Sequence, residues 1–134
     1  MATTPQIGSI ALVPSLTVDD LTKSIAFYEA LGFVVEDRWE DGGKLLGVML
    51  RAGATQFGLS QDDWKKGRDR KKGVGLRMSF STTAENVRTI AERVKAAGFP
   101  LASEPQANEW AASTFDVTDP SGFLVSVYAD KDSN

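Results

Sequence analysis

Along the first half of the chain, apolar and polar residues alternate with a strand period and then change to a helical period. Residues 10–18 alternate with the period of two that a half-buried strand requires. Asp19 or Asp20 then caps a predicted helix with a helical apolar stripe, and Gly32 ends it. Apolar stretches and turn residues in positions 33–60 predict three further strands. The predicted order is one strand, one helix and three strands.

The second half of the chain repeats this order. Residues 74–81 alternate as a strand, and Thr82 and Glu85 have the spacing of a capping box at the start of a second helix. Gly98 ends that helix, and extended segments follow up to a last strand at residues 123–128. The agreement of elements, caps and terminators indicates an internal repeat.

The repeat defines the domain organisation that we predict. Module 1 covers about residues 8–60, a polar hinge loop covers residues 61–73, and module 2 covers about residues 74–130. The predicted fold class is α+β: two tandem βαβββ modules that form a curved mixed sheet with a concave cleft. All 134 residues are assigned to a single domain.

Composition narrows the classes of partner. Hydrophobic residues make up 42% and charged residues 25% of the chain, as in ordinary globular proteins, and the net charge is -3. A nucleic-acid partner is not expected, because such proteins normally carry a basic excess. The basic cluster at residues 65–72 alternates with acids and predicts a solvated loop. No membrane segment or secretory signal is recognisable, so we expect a cytoplasmic protein.

The chain contains neither His nor Cys. The usual zinc, copper and iron sites and the catalytic triads depend on these side chains, so the sequence argues against them. An all-oxygen magnesium or calcium site stays open, although no calcium-binding spacing of Asp is present.

Two segments carry a family resemblance over nearly the whole chain. The run Leu16-Thr-Val-Asp-Asp-Leu-Thr-Lys-Ser-Ile-Ala-Phe-Tyr-Glu-Ala-Leu-Gly-Phe33 resembles the first module of the vicinal oxygen chelate superfamily. Asp119-Pro-Ser-Gly122 before an apolar strand resembles its closing motif. This superfamily includes glyoxalase I, extradiol dioxygenases, epimerases, fosfomycin-modifying enzymes and bleomycin-binding resistance proteins.

The resemblance also implies where a metal would be held. Members that use a metal take one ligand from each of four strands, and the matching positions here are Val13, Gly58, Arg77 and Ser126. None of these is a good ligand for a divalent cation, and Arg77 would repel one. The resemblance therefore points to the metal-free, bleomycin-resistance-like branch, with no cofactor. Its resistance proteins commonly form homodimers, and we expect one here.

Strand alternation assigns the side chains to two faces. One face is apolar and is predicted to be core, including Leu12 and Leu76. The other is mixed and is predicted to line the cleft and bind the ligand. Its candidate ligand-binding residues are Ser15, Gln56, Arg77, Ser126 and Tyr128.

Arg77 has two interpretations. A guanidinium inside a curved sheet could bind the carboxylate, phosphate or sulfate of a ligand bidentately. It could equally form an internal ion pair with Glu109, Asp116 or another acid and hold the modules together.

The tryptophans complete the candidate set. Trp39, Trp64 and Trp110 lie at a strand end, in the hinge loop and beside a turn. Aromatic residues at such positions often line the mouth of a cleft, although core packing or a dimer contact could account for any one of them taken by itself. Trp64 lies among charged residues in the hinge loop, which predicts that a ligand or a partner chain covers it.

Two main functions stay open at this stage. The first is a binding module that captures and sequesters a small aromatic or anionic molecule, such as an antibiotic or a metabolite. The second is a metal-independent lyase, isomerase or hydrolase in the same cleft, which requires an acid–base group. Candidate carboxylates exist, but the sequence favours solvated surface positions for all of them: Glu36, Glu40, Glu104 and Glu109. A third option is a regulatory partner of another protein.

Overall fold

The computed structural model describes residues 8 and 10–132. In chain order the elements are β1 Ser15–Val18, α1 Leu21–Leu31, β2 Val34–Asp41, β3 Lys44–Ala52, β4 Thr55–Gln61, β5 Arg77–Ser81, α2 Ala84–Ala96, β6 Ser103–Gln106, β7 Ala111–Thr118 and β8 Leu124–Asp130. The strand–helix–three-strand order occurs twice, which confirms the predicted α+β class and the two tandem modules. Within the described residues, neither helix has the length and hydropathy needed to cross a membrane.

Each module builds one four-stranded mixed sheet. The strand orders are β1-β4-β3-β2 and β5-β8-β7-β6, so the two sheets have the same topology. The first strand of each module is parallel to the last, and the other neighbours are antiparallel. β1 and β5 are therefore the corresponding edge strands of the two sheets.

Aromatic rings join the modules through a shared hydrophobic core. Phe33 of module 1 lies edge-on to Phe80 of β5, with ring centroids 5.1 Å apart. Phe27 of α1 contacts Phe99 after α2 in the same manner, also at 5.1 Å. Edge-to-face contacts of this kind add to the stabilisation from apolar burial. One buried cluster thus extends through both modules.

Arg93 of α2 ties the two helices together at the end of α1. Its Nε donates to the carbonyl of Ala30 at 2.6 Å, and its Nη2 donates to the carbonyl of Leu31 at 2.8 Å. The last carbonyls of a helix lack partners within the helix, so the guanidinium satisfies two of them. The adjacent Gly32 has φ 117°, and a Cβ there would lie 2.8 Å from Nη2 of Arg93. Only glycine fits this helix end without strain.

Both edge strands are shorter than the sequence predicted. Residues 10–14 are not part of β1, and residues 74–76 are not part of β5. Leu12 is 88% exposed and Leu76 is 42% exposed, so their assignment to the core was wrong. Gly73 and Gly75 have positive φ values, which break the extended backbone just before β5.

The helix caps differ from prediction by one residue at α2. Asp20, one of the two predicted caps, is the N-cap of α1 and accepts a hydrogen bond from the Lys23 amide. At α2 the N-cap is Thr83, which accepts from the Asn86 amide, rather than Thr82. Thr82 instead accepts a bond from the side chain of Asn86. Consecutive threonines make either position a possible cap from sequence alone.

Candidate ligand-binding groove

A groove with a volume of about 820 Å³ follows edge strand β5. Its walls come from residues 10–14, from the β3–β4 hairpin around residues 51–57, and from residues 76–81. We call this cavity the β5 groove. Its volume lies in the range of sites that bind small molecules. Both modules contribute to it, so the tandem fold creates the cavity.

Arg77 is the first residue of β5, and this exposed arginine lines the groove. Its Nη1 donates to Oγ of Ser126 at 3.3 Å, and that hydroxyl donates to Oδ1 of Asp116 at 2.6 Å. The three side chains come from adjacent strands β5, β8 and β7, whose registers pair Ser126 with Asp116 and place Arg77 opposite Leu124. Since Ser126 is buried and Arg77 is exposed, the serine fixes the inner side of the guanidinium.

The alternative of an internal ion pair is not what the structure shows. Among the described residues, no carboxylate lies within ion-pairing distance of Arg77, and Asp116 reaches it only through the Ser126 hydroxyl. Four of the five N–H donors of a guanidinium remain after one bond to serine. These donors can serve a ligand.

A second guanidinium lines the same groove. Arg51 of β3 forms an ion pair with Glu36 of β2, and Gln56 of β4 donates to the same carboxylate at 2.6 Å. The hydrogen bond from Arg51 is the main cause of the lowered pKa of Glu36. Glu36 is therefore held ionised, which makes it a poor proton donor near neutral pH. Sequence analysis missed Arg51, although its pairing with Gln56 across a tight hairpin could have indicated it.

The remaining strand candidates lie outside the lining of the groove. The Ser15 hydroxyl is near Gly58, where a Cβ would be 3.2 Å from its Oγ. The Trp39 ring covers Gly47, where a Cβ would be 3.3 Å from it, and Trp39 stays 49% exposed. Tyr128 of β8 is half-buried, opposite Thr114 and Ser81. Trp110 precedes β7 and is 78% exposed.

The hinge loop places Trp64 away from the groove. Two cations of its own loop lie near its ring, with Arg68 at 5.0 Å and Lys72 at 4.8 Å from the centroid. Cations over an indole face are attracted to it. Side chains of its own loop therefore contact Trp64, and the part-exposed residue also lines a smaller cavity of about 420 Å³, so cover by a ligand or a partner chain stays a prediction.

Lys72 anchors the same loop and is the exception to the predicted solvated basic cluster, whose other cations are exposed: Lys65, Lys66, Arg68, Arg70 and Lys71. Its side chain is only 5% exposed and forms ion pairs with Asp19 and with Asp62, the latter at 2.9 Å. Burial lowers the pKa of Lys72, but the two carboxylates outweigh that effect and raise it. The hydrogen bond from Lys72 is the main cause of the lowered pKa of Asp62. The loop is thereby fixed to the segment that begins α1.

The four positions at which relatives hold a metal do not offer a ligand set. Val13 and Gly58 have no donor atom in their side chains, and a guanidinium has no acceptor. The Ser126 hydroxyl is already engaged by Arg77 and Asp116. In the part of the chain that the structure describes, no three carboxylates cluster as a metal site. These residues do not fit a divalent cation.

Asp119 is a carboxylate with a raised pKa, and burial is the main cause. It lies in the turn before β8, where it accepts bonds from the amides of Ser121 and Phe123 and from the Tyr28 hydroxyl at 2.8 Å. Burial and the negative charge of Asp119 also raise the pKa of Tyr28. Both side chains are buried, and their hydrogen bond fixes the turn before β8 to α1.

Comparison with known proteins agrees with the fold. A family model described as the glyoxalase/bleomycin resistance protein/dioxygenase superfamily matches residues 6–127. Among solved structures, a glyoxylase/bleomycin resistance protein/dioxygenase domain from Frankia sp. EAN1pec has a TM-score of 0.76 at 21% identity, over 94% of this chain and 95% of that one.

Two further structures are similar. A hypothetical protein from S. aureus has a TM-score of 0.71 at 22% identity, over 90% of this chain and 94% of that one. A glyoxalase-related enzyme from Fulvimarina pelagi has a TM-score of 0.71 at 16% identity, over 94% and 96%. No curated protein matches the chain. On the family match and the shared architecture, the chain belongs to the glyoxalase/bleomycin resistance protein/dioxygenase superfamily.

Proposed function

We propose that this protein is a metal-independent member of the superfamily that binds a small anionic molecule with an apolar or aromatic body in the β5 groove. In this proposal Arg77 holds the anion, and the protein sequesters an antibiotic or a metabolite without converting it. The single observation that supports this function is the exposed Arg77 guanidinium, which bonds to buried Ser126 and has no carboxylate partner among the described residues.

The chemistry of the groove favours an anion with an apolar body. A fixed guanidinium binds carboxylate or phosphate oxygens in parallel pairs. Leu76 and the part-buried Phe80 provide apolar surface in the same cavity. Arg51 is neutralised by Glu36, so Arg77 is the uncompensated positive charge in this part of the groove.

A homodimer belongs to the same proposal. Ile10 is 102% exposed, Leu12 is 88% exposed and Val74 is 80% exposed, and all three lie close in sequence to the edge strands β1 and β5. Contiguous exposed apolar surface is typical of interaction sites, and we propose that these side chains contribute to one. We expect analytical ultracentrifugation to find a dimer, and Leu12→Asp to shift it towards the monomer. A cytoplasmic location remains part of the proposal.

Calorimetry with three anionic probes tests the function. We expect wild-type protein in the presence of EDTA to bind at least one of hexanoate, benzoate and hexyl phosphate more tightly than neutral hexanol. Arg77→Met should weaken that binding by about tenfold to a hundredfold, the value of a charge-assisted hydrogen bond. Arg88→Met removes an exposed arginine from α2 and serves as the control.

Each other outcome has a clear meaning. Binding of no probe, or equal binding by wild type and Arg77→Met, overturns the anion site. Binding that EDTA abolishes shows that a metal is required. Conversion of a bound probe, followed by NMR, contradicts sequestration and favours the enzyme hypothesis.

A further inference from the structure

Glu36 holds the side-chain amide of Gln56 in one orientation. Nε2 of Gln56 donates to Oε1 of Glu36 at 2.6 Å, while Nε of Arg51 donates to Oε2 of the same carboxylate. The hydrogen bond from Arg51 is the main cause of the lowered pKa of Glu36, so the carboxylate stays ionised. An ionised carboxylate only accepts hydrogen bonds. The amide nitrogen of Gln56 must therefore be the atom that meets Glu36, and the amide oxygen is turned away from it.

The carbonyl oxygen of Gln56 is not used within the described part of the chain. Among residues 8 and 10–132, no donor lies within hydrogen-bonding distance of its Oε1. Gln56 is half-buried and lines the β5 groove. An amide oxygen carries lone pairs and no hydrogen, so it can only accept a hydrogen bond. The groove thus offers an acceptor whose identity is fixed by the bond on the other side of the amide.

Gln56 and Arg77 line the same cavity but come from different modules. Gln56 lies on β4 of module 1, and Arg77 is the first residue of β5 in module 2. Arg77 presents hydrogen-bond donors, whereas Gln56 presents an acceptor. The cavity of about 820 Å³ has the size that encloses a whole small molecule. One ligand can therefore use both groups.

The charges around Gln56 favour a neutral donor on that ligand. Arg51 is the register partner of Gln56 across the β3–β4 hairpin, and both oxygens of Glu36 are already bonded. Glu36 compensates Arg51, while Arg77 keeps its positive charge in the same groove. An ammonium group beside Gln56 would add another positive charge near these guanidiniums. A hydroxyl donates the same hydrogen bond without that repulsion.

We propose that the physiological ligand is a hydroxylated aromatic acid, whose anionic group binds Arg77 and whose hydroxyl donates to Oε1 of Gln56. This inference rests on the proposed function and deepens it, because it assigns a second polar group to the same ligand. Gln56 then acts as a specificity residue, since it distinguishes a hydroxylated acid from an acid of equal size that lacks the donor.

Two other interpretations of these residues make different predictions. In the first, Gln56 serves only to hold Glu36, and a hydroxyl on the ligand adds nothing to affinity. In the second, the hydroxyl of the ligand bonds to Thr55, the neighbouring β4 residue, which also lines the groove.

Calorimetry with paired aromatic acids tests the inference. The probes are benzoate and three pairs that differ in one substituent: 3-hydroxybenzoate and 3-methylbenzoate, 4-hydroxybenzoate and 4-methylbenzoate, and 4-hydroxycinnamate and 4-methylcinnamate. A methyl group is close to a hydroxyl in size but donates no hydrogen bond. The pairs also vary the distance between the carboxylate and the substituent. Each probe is measured with wild type, with Gln56→Met and with the matched control Thr55→Val.

The expected result is a hydroxyl preference that depends on Gln56. In wild type, at least one hydroxylated probe should bind about threefold to tenfold more tightly than its methyl counterpart, the value of one neutral hydrogen bond. The preference should disappear in Gln56→Met and persist in Thr55→Val. Benzoate should bind equally to all three proteins, which shows that the groove and Arg77 are intact in both variants.

Several results would overturn the inference. If no hydroxylated probe binds wild type more tightly than its methyl counterpart, the inference fails, and this comparison does not depend on any variant folding. A preference that survives in Gln56→Met, or that is lost in Thr55→Val, places the hydroxyl elsewhere. Loss of benzoate binding in Gln56→Met shows that Gln56 maintains the groove and contradicts its role as a specificity residue.

These failures are distinguishable from failure of the proposed function. Benzoate binding that is lost in Arg77→Met leaves the anion site standing whatever the hydroxyl series shows. If wild type binds none of the aromatic acids, the inference fails as well, while hexanoate and hexyl phosphate still test Arg77 separately.

Discussion

Nη1 of Arg77 lies 3.3 Å from Oγ of Ser126, and this contact joins an exposed charge to a buried hydroxyl. The same hydroxyl donates its hydrogen to Asp116. Because this bond fixes the orientation of the hydroxyl, a lone pair of its oxygen is free to accept the hydrogen bond from Arg77. Asp116 acts on Arg77 through the serine, and the positive charge stays available at the groove.

Ser126→Ala should weaken anion binding without abolishing it. The substitution removes the acceptor that orients Arg77 and also the donor to Asp116, so the guanidinium loses its preferred position. We expect the dissociation constant of the tightest anionic probe to rise by about threefold to tenfold, the value of one ordinary hydrogen bond. Ser60→Ala changes an exposed strand serine outside the β5 groove and should have no effect. Unchanged affinity in Ser126→Ala would show that the serine does not position Arg77.

Arg93→Met should destabilise the fold through the end of α1. It leaves the carbonyls of Ala30 and Leu31 without their charged donor in a part-buried site. We expect urea denaturation to show a loss of about 2 to 3 kcal/mol in the free energy of unfolding. Arg88→Met on the exposed side of the same helix is the matched control. Equal stability of the two variants would mean that Arg93 does not tie the helices together.

Lys72→Met should destabilise the protein more than Lys66→Met. Lys72 is buried between Asp19 and Asp62, whereas Lys66 is an exposed residue of the same loop. Removing one partner of a buried ion pair leaves the other charge uncompensated. The urea midpoint measures the difference, and equal midpoints would contradict the ion-paired hinge loop.

The effect of Lys72→Met should also depend on pH. Because the pKa of Asp62 is lowered from 3.8 in the folded state, its contribution to stability is present above that value and is lost as the pH falls through the folded value. The difference in unfolding free energy between wild type and Lys72→Met should therefore be larger at about pH 6 than at about pH 2.5. If the difference in unfolding free energy between the two proteins grew as the pH fell, the pKa of Asp62 would not be lowered by Lys72.

Tyr28→Phe should reduce stability because it removes one hydroxyl. That hydroxyl donates to Asp119 at 2.8 Å in the core, and the carboxylate has no solvent to replace it. We expect a loss of about 1 to 3 kcal/mol, the cost of leaving a buried acceptor without a partner. Tyr128→Phe removes the same atom from a half-buried tyrosine of β8 and should be close to neutral. The assignment fails if both variants lose the same stability in urea denaturation.

The sequence predicts most of the fold because its signals are local. The change from a strand period to a helical period, the helix caps and the terminating Gly32 define the elements of module 1. The internal repeat gives the same evidence a second time in module 2. The errors occur where local pattern meets tertiary context. Residues 10–14 alternate as a strand should, yet they lie outside β1, and the backbone turns of Gly73 and Gly75 delay β5.

The candidate site was harder to predict than the fold. Arg77 and Gln56 were identified because strand alternation places them on one face, and both line the β5 groove. Arg51 was missed because its role depends on the hairpin register and on Glu36 of another strand. The contact of Lys72 with the Trp64 ring lies within a loop. Because a loop has no periodic sequence pattern, this contact could not be predicted.

A crystal structure grown with the tightest anionic probe and EDTA tests the central claim most directly. We expect the anion within hydrogen-bonding distance of the Arg77 guanidinium, with the bond between Arg77 and Ser126 retained. An anion bound elsewhere while Arg77 pairs directly with Asp116 would contradict it.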